Sequence, residues 1–356
     1  MGFLKSLFGG GEHTVTTEPS GLAFQVTGNQ SVLEAALAQG VAFPHSCTVG
    51  TCGSCKCRLK AGKIREISNF GYVLSAAELQ GGVILACQAA ARTDLVLEVP
   101  GLGQKRLQPP RDFAGWLTET EPLTHDIRRV TVTLDSPLAF DAGQYAQLQV
   151  GEVWGARAYS FANAPSADGN IELTFMIRHV PGGAFTDPLF RGELTDKPVK
   201  VHGPCGNFWL RDSRGPLVAV AGGSGLAPLL SILEDAAGRQ VGRSALVLFG
   251  AREQRDLYAL PQLQGIARRW NGAFQFVPVL SEEAADSGWA GARGLVTEEL
   301  AAHLASLPAT DTTAYLCGPP AMIDAAETLL LGAGIEAGNV HADRFLDGRH
   351  GLQRHG

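Results

Sequence analysis

The sequence predicts a multidomain protein of α+β and α/β class: a small α+β unit, a barrel or sandwich of short strands, then a domain built on a parallel sheet. Three observations carry that prediction. Four cysteines, Cys47, Cys52, Cys55 and Cys87, fall in a stretch that reads strand, helix, loop and late strand. From Phe113 to about Leu210, short strand-like runs are broken by Gly, Pro and Asp, the pattern of a barrel or sandwich. From Pro216 onward strand-like and helix-like runs alternate, which implies parallel strands joined by crossover helices. At 356 residues the chain is too long for one ordinary core.

Taken in order, residues 1–12 read as a tail ending in a glycine linker. The first eight residues lack a long apolar core and a cleavage site, so they are not an export signal. They read as a frayed terminus, although Phe3, Leu4, Leu7 and Phe8 could graze a membrane surface. Residues 13–102 form the first domain. Residues 22–27 alternate as a strand, and Ser31 with Glu34 three residues later caps a helix that stops at Gly40. The cysteine loop follows, and residues 95–99 supply a closing strand. Residues 103–112 have the composition of a linker. The barrel, residues 113–213, has candidate strands at 129–134, 145–150 and 171–178. Residues 214–347 form the α/β domain, with strands at 217–221, 245–249, 274–280 and 313–316 and a helical run around 229–233. Residues 348–356 are a second tail, and no internal repeat is seen.

The cysteines are spaced C-x4-C-x2-C, with thirty-one residues between Cys55 and the fourth. That is the thiolate pattern of a plant-type 2Fe–2S cluster. A structural zinc site usually shows two C-x2-C pairs, or one pair with two histidines. The intervening Gly50, Gly53 and Ser54 are small, so backbone N–H groups can approach the sulfides. With these ligands the first domain fits a β-grasp ferredoxin. Cys57 and Cys205 stand outside the ligand set and read as small structural thiols. Residues 1–100 carry seven Lys or Arg against seven Asp or Glu, so strong acidity is not how this domain recognises partners.

Four further stretches carry chemistry. Arg157, Ala158, Tyr159 and Ser160 offer a cation for a pyrophosphate, a flat ring for a flavin and a hydroxyl for a ring nitrogen. Arg178, Gly182, Gly183 and Thr186 lead into a helix start, where free N–H groups and a hydroxyl can take phosphate oxygens. Gly222-Gly223-Ser224-Gly225 joins a strand to a helix, the context in which a glycine turn cradles a pyrophosphate. Cys317, Gly318 and Pro319 end a later strand of the same sheet, at the edge where ligands bind. Each has a plain structural reading when taken alone, as an ordinary turn or a buried thiol.

As an ordered set, these motifs resemble the oxygenase reductases that carry an N-terminal ferredoxin, over roughly residues 20 to 345. These are electron-transfer components of bacterial aromatic-ring dioxygenases and multicomponent monooxygenases. The resemblance implies a β-grasp ferredoxin, an antiparallel β-barrel FAD domain and a parallel-sheet α/β nucleotide-binding domain. It implies that Arg157 binds the flavin pyrophosphate, Tyr159 stacks on the flavin, and Ser160 sits near its hydride-accepting nitrogen. Gly183 and Thr186 would hold FAD phosphates. Gly223, Ser224 and Gly225 would meet the dinucleotide pyrophosphate, and Cys317 with Gly318 would lie beside the nicotinamide. Family members often end near an aromatic residue of the closing strand, here Phe345. This chain continues for eleven residues past it, with His350 and His355.

The chemistry explains the set. A nicotinamide gives two electrons as hydride, a 2Fe–2S cluster takes one, and a flavin handles both. No acid, base or triad is needed. For the donor, Glu253 or Asp256 could accept from a ribose hydroxyl, while Arg252 or Arg255 could hold a 2′-phosphate. The family mostly uses NADH, so NADH is expected over NADPH. The expected partner is an oxygenase component, with a deoxysugar dehydratase as alternative acceptor and a non-catalytic redox sensor as a third reading. A net charge of -6 offers no footprint for nucleic acid, and no apolar run matches a transmembrane helix. A monomer in the cytoplasm is expected, where ligand thiols stay reduced.

Overall fold

A computed structural model describes residues 11–345, apart from 29, 46–47, 51–52, 100–101, 103–107 and 154. The first eight residues, the expected ligands Cys47 and Cys52, and His350 and His355 therefore lie outside the described residues. The chain divides into two compact units, Met1–Pro110 and Arg111–Gly356.

In the first unit, β1 (His13–Glu18) and β2 (Ala23–Val26) form a hairpin, followed by α1 (Val32–Ala38). Then come β3 (Lys56–Ala61), β4 (Ile64–Glu66), α2 (Ala76–Gln80), β5 (Val83–Leu85), β6 (Ala89–Ala91) and β7 (Leu95–Glu98). The main sheet has the order β2-β1-β7-β3-β5, with β1 parallel to β7, and β4 pairs with β6 separately. α1 begins where the sequence says: Glu34 N–H donates to Ser31 Oγ at 3.1 Å, and Ser31 N–H donates to the Glu34 carboxylate at 2.8 Å. Gly40, at φ +71°, ends it. Val32, Leu33, Ala35 and Ala36 bury one face of α1 among Phe43, Leu85 and Leu97. Cys57 points into this core, as expected of a structural thiol.

The second unit opens with β8 (Arg111–Pro122), whose first residues fall in the stretch expected as linker. β9 (Ile127–Leu138), β10 (Tyr145–Val150), β11 (Arg157–Ser160), β12 (Asn170–Arg178), a short α3 (Thr186–Phe190) and β13 (Pro198–Cys205) complete the antiparallel sheet. Its order is β11-β10-β13-β8-β9-β12, and a Phe161–Phe175 bridge joins the two edges into a barrel. Leu117, Val130, Leu148, Phe161 and Phe175 fill it. Cys205, at the end of β13, is buried, and burial pushes its thiol up to about 12.

The same unit continues with β14 (Leu217–Gly222), α4 (Leu226–Gly238), β15 (Ala245–Ala251), α5 (Leu260–Arg269) and β16 (Phe274–Leu280). It ends with β17 (Ala292–Arg293), α6 (Val296–Leu304), β18 (Thr313–Gly318), α7 (Pro320–Gly332) and β19 (Val340–Arg344). All six strands are parallel, in the order β17-β16-β15-β14-β18-β19. Every residue of β14 is buried, which is why it reads as an unbroken apolar run with no alternation. The order reverses direction between β14 and β18, and ligands of open α/β sheets bind beside such a switch point, at the carboxyl ends of the strands. No helix among the described residues is long and apolar enough to cross a membrane.

Candidate functional site

In the first unit, Cys55 leads into β3, and Cys87 lies in a single 3-10 turn after β5. The Ala86 N–H donates to Cys55 C=O at 3.1 Å, so the two segments are tied by backbone. Both thiols are buried, with Sγ atoms 3.3 Å apart, well beyond the about 2.05 Å of a disulfide. Two thiolates this close repel each other in an apolar pocket, whereas one metal ion can accept both. Gly50, a described residue of the cysteine loop, stands against Gln88, the neighbour of Cys87. A side chain on Gly50, at φ +83°, would strike the Gln88 side chain at 2.6 Å. Gly53 also adopts a left-handed conformation, at φ +74°. The described half of the ligand set therefore fits a cluster.

In the barrel, Arg157 to Ser160 form β11, paired along one side with β10. The pleat puts Arg157 and Tyr159 on one face, both half-buried, with Ala158 exposed and Ser160 buried. The Tyr159 ring lies 5.5 Å from the ring of Phe185, at the start of α3, so β11 and the glycine loop share one corner. That loop is tighter than the sequence implies. Gly183 N–H donates to Val180 C=O at 2.8 Å, and the Thr186 hydroxyl donates to the same carbonyl at 2.9 Å. A Cβ on Gly183 would stand 2.5 Å from Thr186 Oγ1. The expected free donors at Gly183 and Thr186 are thus spent on closing the loop. Gly182, at φ +79°, faces open space. A half-buried aromatic, an arginine and a left-handed glycine turn at one barrel corner fit a flavin nucleotide.

Arg178 leaves this corner. It lines a second site, a cleft of about 210 Å³ bounded by Gly222, Gly223, Arg252, Pro319 and Asp126. The cleft stands at the switch point. Pairing of Ala221 with Cys317 brings the turns after β14 and β18 together. A Cβ on Gly225 would lie 2.2 Å from Cys317 O, and one on Gly222 would lie 2.8 Å from Met322 Sδ. Ser224 is half-buried beside them. Gly318, at φ +148°, accepts from Phe345 N–H at 2.9 Å, so the closing aromatic stands beside this turn. Cys317 is fully enclosed, and burial pushes its thiol far up, so it stays neutral.

Two residues here escaped the sequence reading. Tyr258 is buried, and its hydroxyl donates to Gly223 O at 2.8 Å, bracing the turn. Its closeness in sequence to Arg252 and Asp256 was the available signal. Asp126, just before β9, accepts from Arg178 at 2.9 Å and from Arg252 at 3.1 Å. Burial alone would raise its carboxyl, but the charge of Arg178 and hydrogen bonds from Thr124 and Arg178 hold it below the ordinary range. The four charged candidates after β15 largely satisfy one another. Arg252 pairs with Asp256 at 3.3 Å, and Arg255 pairs with Glu253 at 2.8 Å.

Comparison with known proteins agrees with each module. The chain matches the 2Fe-2S iron-sulfur cluster binding domain over residues 15–92, the oxidoreductase FAD-binding domain over 114–209 and the oxidoreductase NAD-binding domain over 219–328. It is 42% identical over 337 residues to the xylene/toluene monooxygenase electron transfer component XylA of Pseudomonas putida, covering 94% of each chain. The chain belongs to the oxygenase-system reductases with an N-terminal ferredoxin. These reductases include the ferredoxin--NAD(+) reductase component of the alkene monooxygenase system of Xanthobacter autotrophicus, 36% identical over 330 residues, 92% of this chain and 98% of that one. Among solved structures, the Amycolatopsis cytochrome P450 reductase GcoB superposes with a TM-score of 0.77 at 35% identity, covering 94% of this chain and 98% of that one. As a member of this family the chain is an oxidoreductase with 2Fe–2S, FAD and nicotinamide-dinucleotide domains.

Proposed function

We propose that this reductase takes electrons from NADH and delivers them, through FAD and a 2Fe–2S cluster, to the oxygenase component of an aromatic-compound oxidising system. The observation that carries the reading is one chain holding both a cleft beside glycine turns at a sheet switch point and a convergent pair of buried thiols. The bound groups supply the redox chemistry, hydride acceptance by FAD and one-electron transfer by the cluster. The protein's own residues position them. Cys47, Cys52, Cys55 and Cys87 are proposed as the cluster ligands. Arg157 offers its cation to the flavin pyrophosphate and Tyr159 its ring to the flavin, with Ser160 at the reacting edge. Ala158, Gly182, Gly183 and Thr186 shape the surface that the FAD phosphates meet. Gly223, Ser224 and Gly225 receive the dinucleotide pyrophosphate, and Arg178 reaches the same turn. Cys317, Gly318 and Pro319 form the floor beside the nicotinamide, with the Cys317 thiol acting by its bulk.

NADH is proposed over NADPH because the cleft's arginines already face carboxylates. The name of the Xanthobacter relative, which specifies NAD(+), supports the same choice. A monomeric chain in the reducing cytoplasm is proposed, since ligand thiols must stay reduced there. Any weak membrane-surface contact of residues 1–8 is a separate proposal, tested by liposome flotation with and without them. The relay is tested by a visible spectrum of fresh protein and an anaerobic NADH titration. Overlapping flavin and iron–sulfur bands should bleach with about three electrons per chain, two for FAD and one for the cluster. A protein that takes up neither group on reconstitution would overturn the proposal.

A further inference from the structure

Asp126 joins arginines from the two halves of the second unit. Its Oδ2 accepts from Nε and Nη2 of Arg178, at the end of β12, both at 2.9 Å. The same oxygen accepts from Nη2 of Arg252, just after β15, at 3.1 Å. Its Oδ1 accepts from the Thr124 hydroxyl at 3.0 Å, which sets the plane of the carboxylate. On its far side Arg252 meets the buried Asp256, whose Oδ1 lies 3.3 Å from His125 Nδ1. Two arginines and two carboxylates thus alternate along the wall of the cleft, and their charges cancel.

We infer that Asp126 is the residue by which this cleft selects between the two nicotinamide dinucleotides. The inference rests on the proposed seat of the pyrophosphate at Gly223 to Gly225. In sheets of this topology, the ribose beyond that pyrophosphate lies over the end of the neighbouring strand, where an arginine can accommodate a 2′-phosphate. Here the neighbouring strand is β15 and the arginine is Arg252. Asp126 and Asp256 hold that arginine between them. A phosphate dianion arriving there finds its cation shared by two carboxylates and must itself approach them. A ribose hydroxyl carries no such penalty, because it can donate to a carboxylate as well as accept from a guanidinium. Asp126 touches neither reacting atoms nor substrate in this account. It is a positioning residue that acts by neutralising Arg252 and Arg178.

The test is the ratio of kcat/KM for NADPH to that for NADH, with ferricyanide as acceptor, in the full-length holoenzyme. Asp126→Asn should raise the ratio on the order of tenfold, mainly through a lower KM for NADPH. Asp126→Glu, which keeps the charge, should retain the wild-type ratio. Adding Arg252→Gln to Asp126→Asn should abolish the gain. If Asp126→Asn does not fold, Asp256→Asn releases Arg252 from its other side and should shift the ratio the same way. A ratio that stays at the wild-type value in the folded variants, or a parallel loss with both nucleotides, overturns the inference. Failure of the underlying seat is read separately. Gly225→Ala leaving KM for both nucleotides unchanged would remove the pyrophosphate from this turn, whatever Asp126 does.

Discussion

At the turn after β14 the tightest constraint is Gly225, where any side chain would stand 2.2 Å from Cys317 O, far inside contact distance. The clash is with backbone, which cannot swing aside. Gly225→Ala should therefore push the turn after β14 away from the turn after β18. We expect KM for NADH in ferricyanide reduction to rise on the order of tenfold, with the flavin and cluster spectrum retained. Steady-state kinetics and a visible spectrum on one preparation check both halves. Cys317 shows the complementary case. It is conspicuous in the sequence, yet it is fully buried and its thiol is held neutral. In the proposed site it acts by its bulk, because a buried neutral thiol is a poor nucleophile. Tyr258 and Asp126 are unremarkable in the sequence and matter because of what they reach.

At the scale of elements, local rules account for much of the architecture. α1 begins at a reciprocal Ser31–Glu34 cap. Ser31→Ala removes the acceptor for the Glu34 N–H and should cost about 1 kcal/mol. Urea unfolding followed by loss of cluster absorbance should show a lower midpoint with an unchanged slope. β14 is an apolar run because both of its faces are covered. β1 lies beside the glycine-rich tail, outside the strands expected from the sequence. It is paired on both sides, antiparallel with β2 in a hairpin and parallel with β7, as in Val15 with Leu95, a partner far along the chain. The loop from Arg178 to Thr186 likewise closes through Val180, a contact that a phosphate-binding pattern does not encode.

For the whole molecule, the division of labour makes two activities separable. The thiols and the switch-point cleft belong to different compact units. Cys55→Ser should abolish the cluster bands and the reduction of one-electron protein acceptors such as cytochrome c. NADH-driven reduction of ferricyanide, which can draw directly on the flavin, should persist. Loss of both activities together would mean that the cluster ligand is needed to hold the second unit in its working state, and would end the two-module account.

Cysteine spacing, turn glycines and the change from short punctuated strands to strand–helix alternation, as an ordered set that resembles one family, pointed to the domain series and the cofactor classes. Those signals are local: a ligand loop, a helix cap and a strand-to-helix turn each need only a few neighbouring residues. Only the tertiary structure decided which of them meet. It brought Cys55 to Cys87, Gly225 to Cys317 and Asp126 to Arg178 and Arg252. It also turned Arg178 from the expected phosphate loop into the cleft at the switch point. Contacts between residues remote in sequence depend on strand order and on barrel closure. A charge such as Asp126 acquires its meaning only when folding sets it between two arginines.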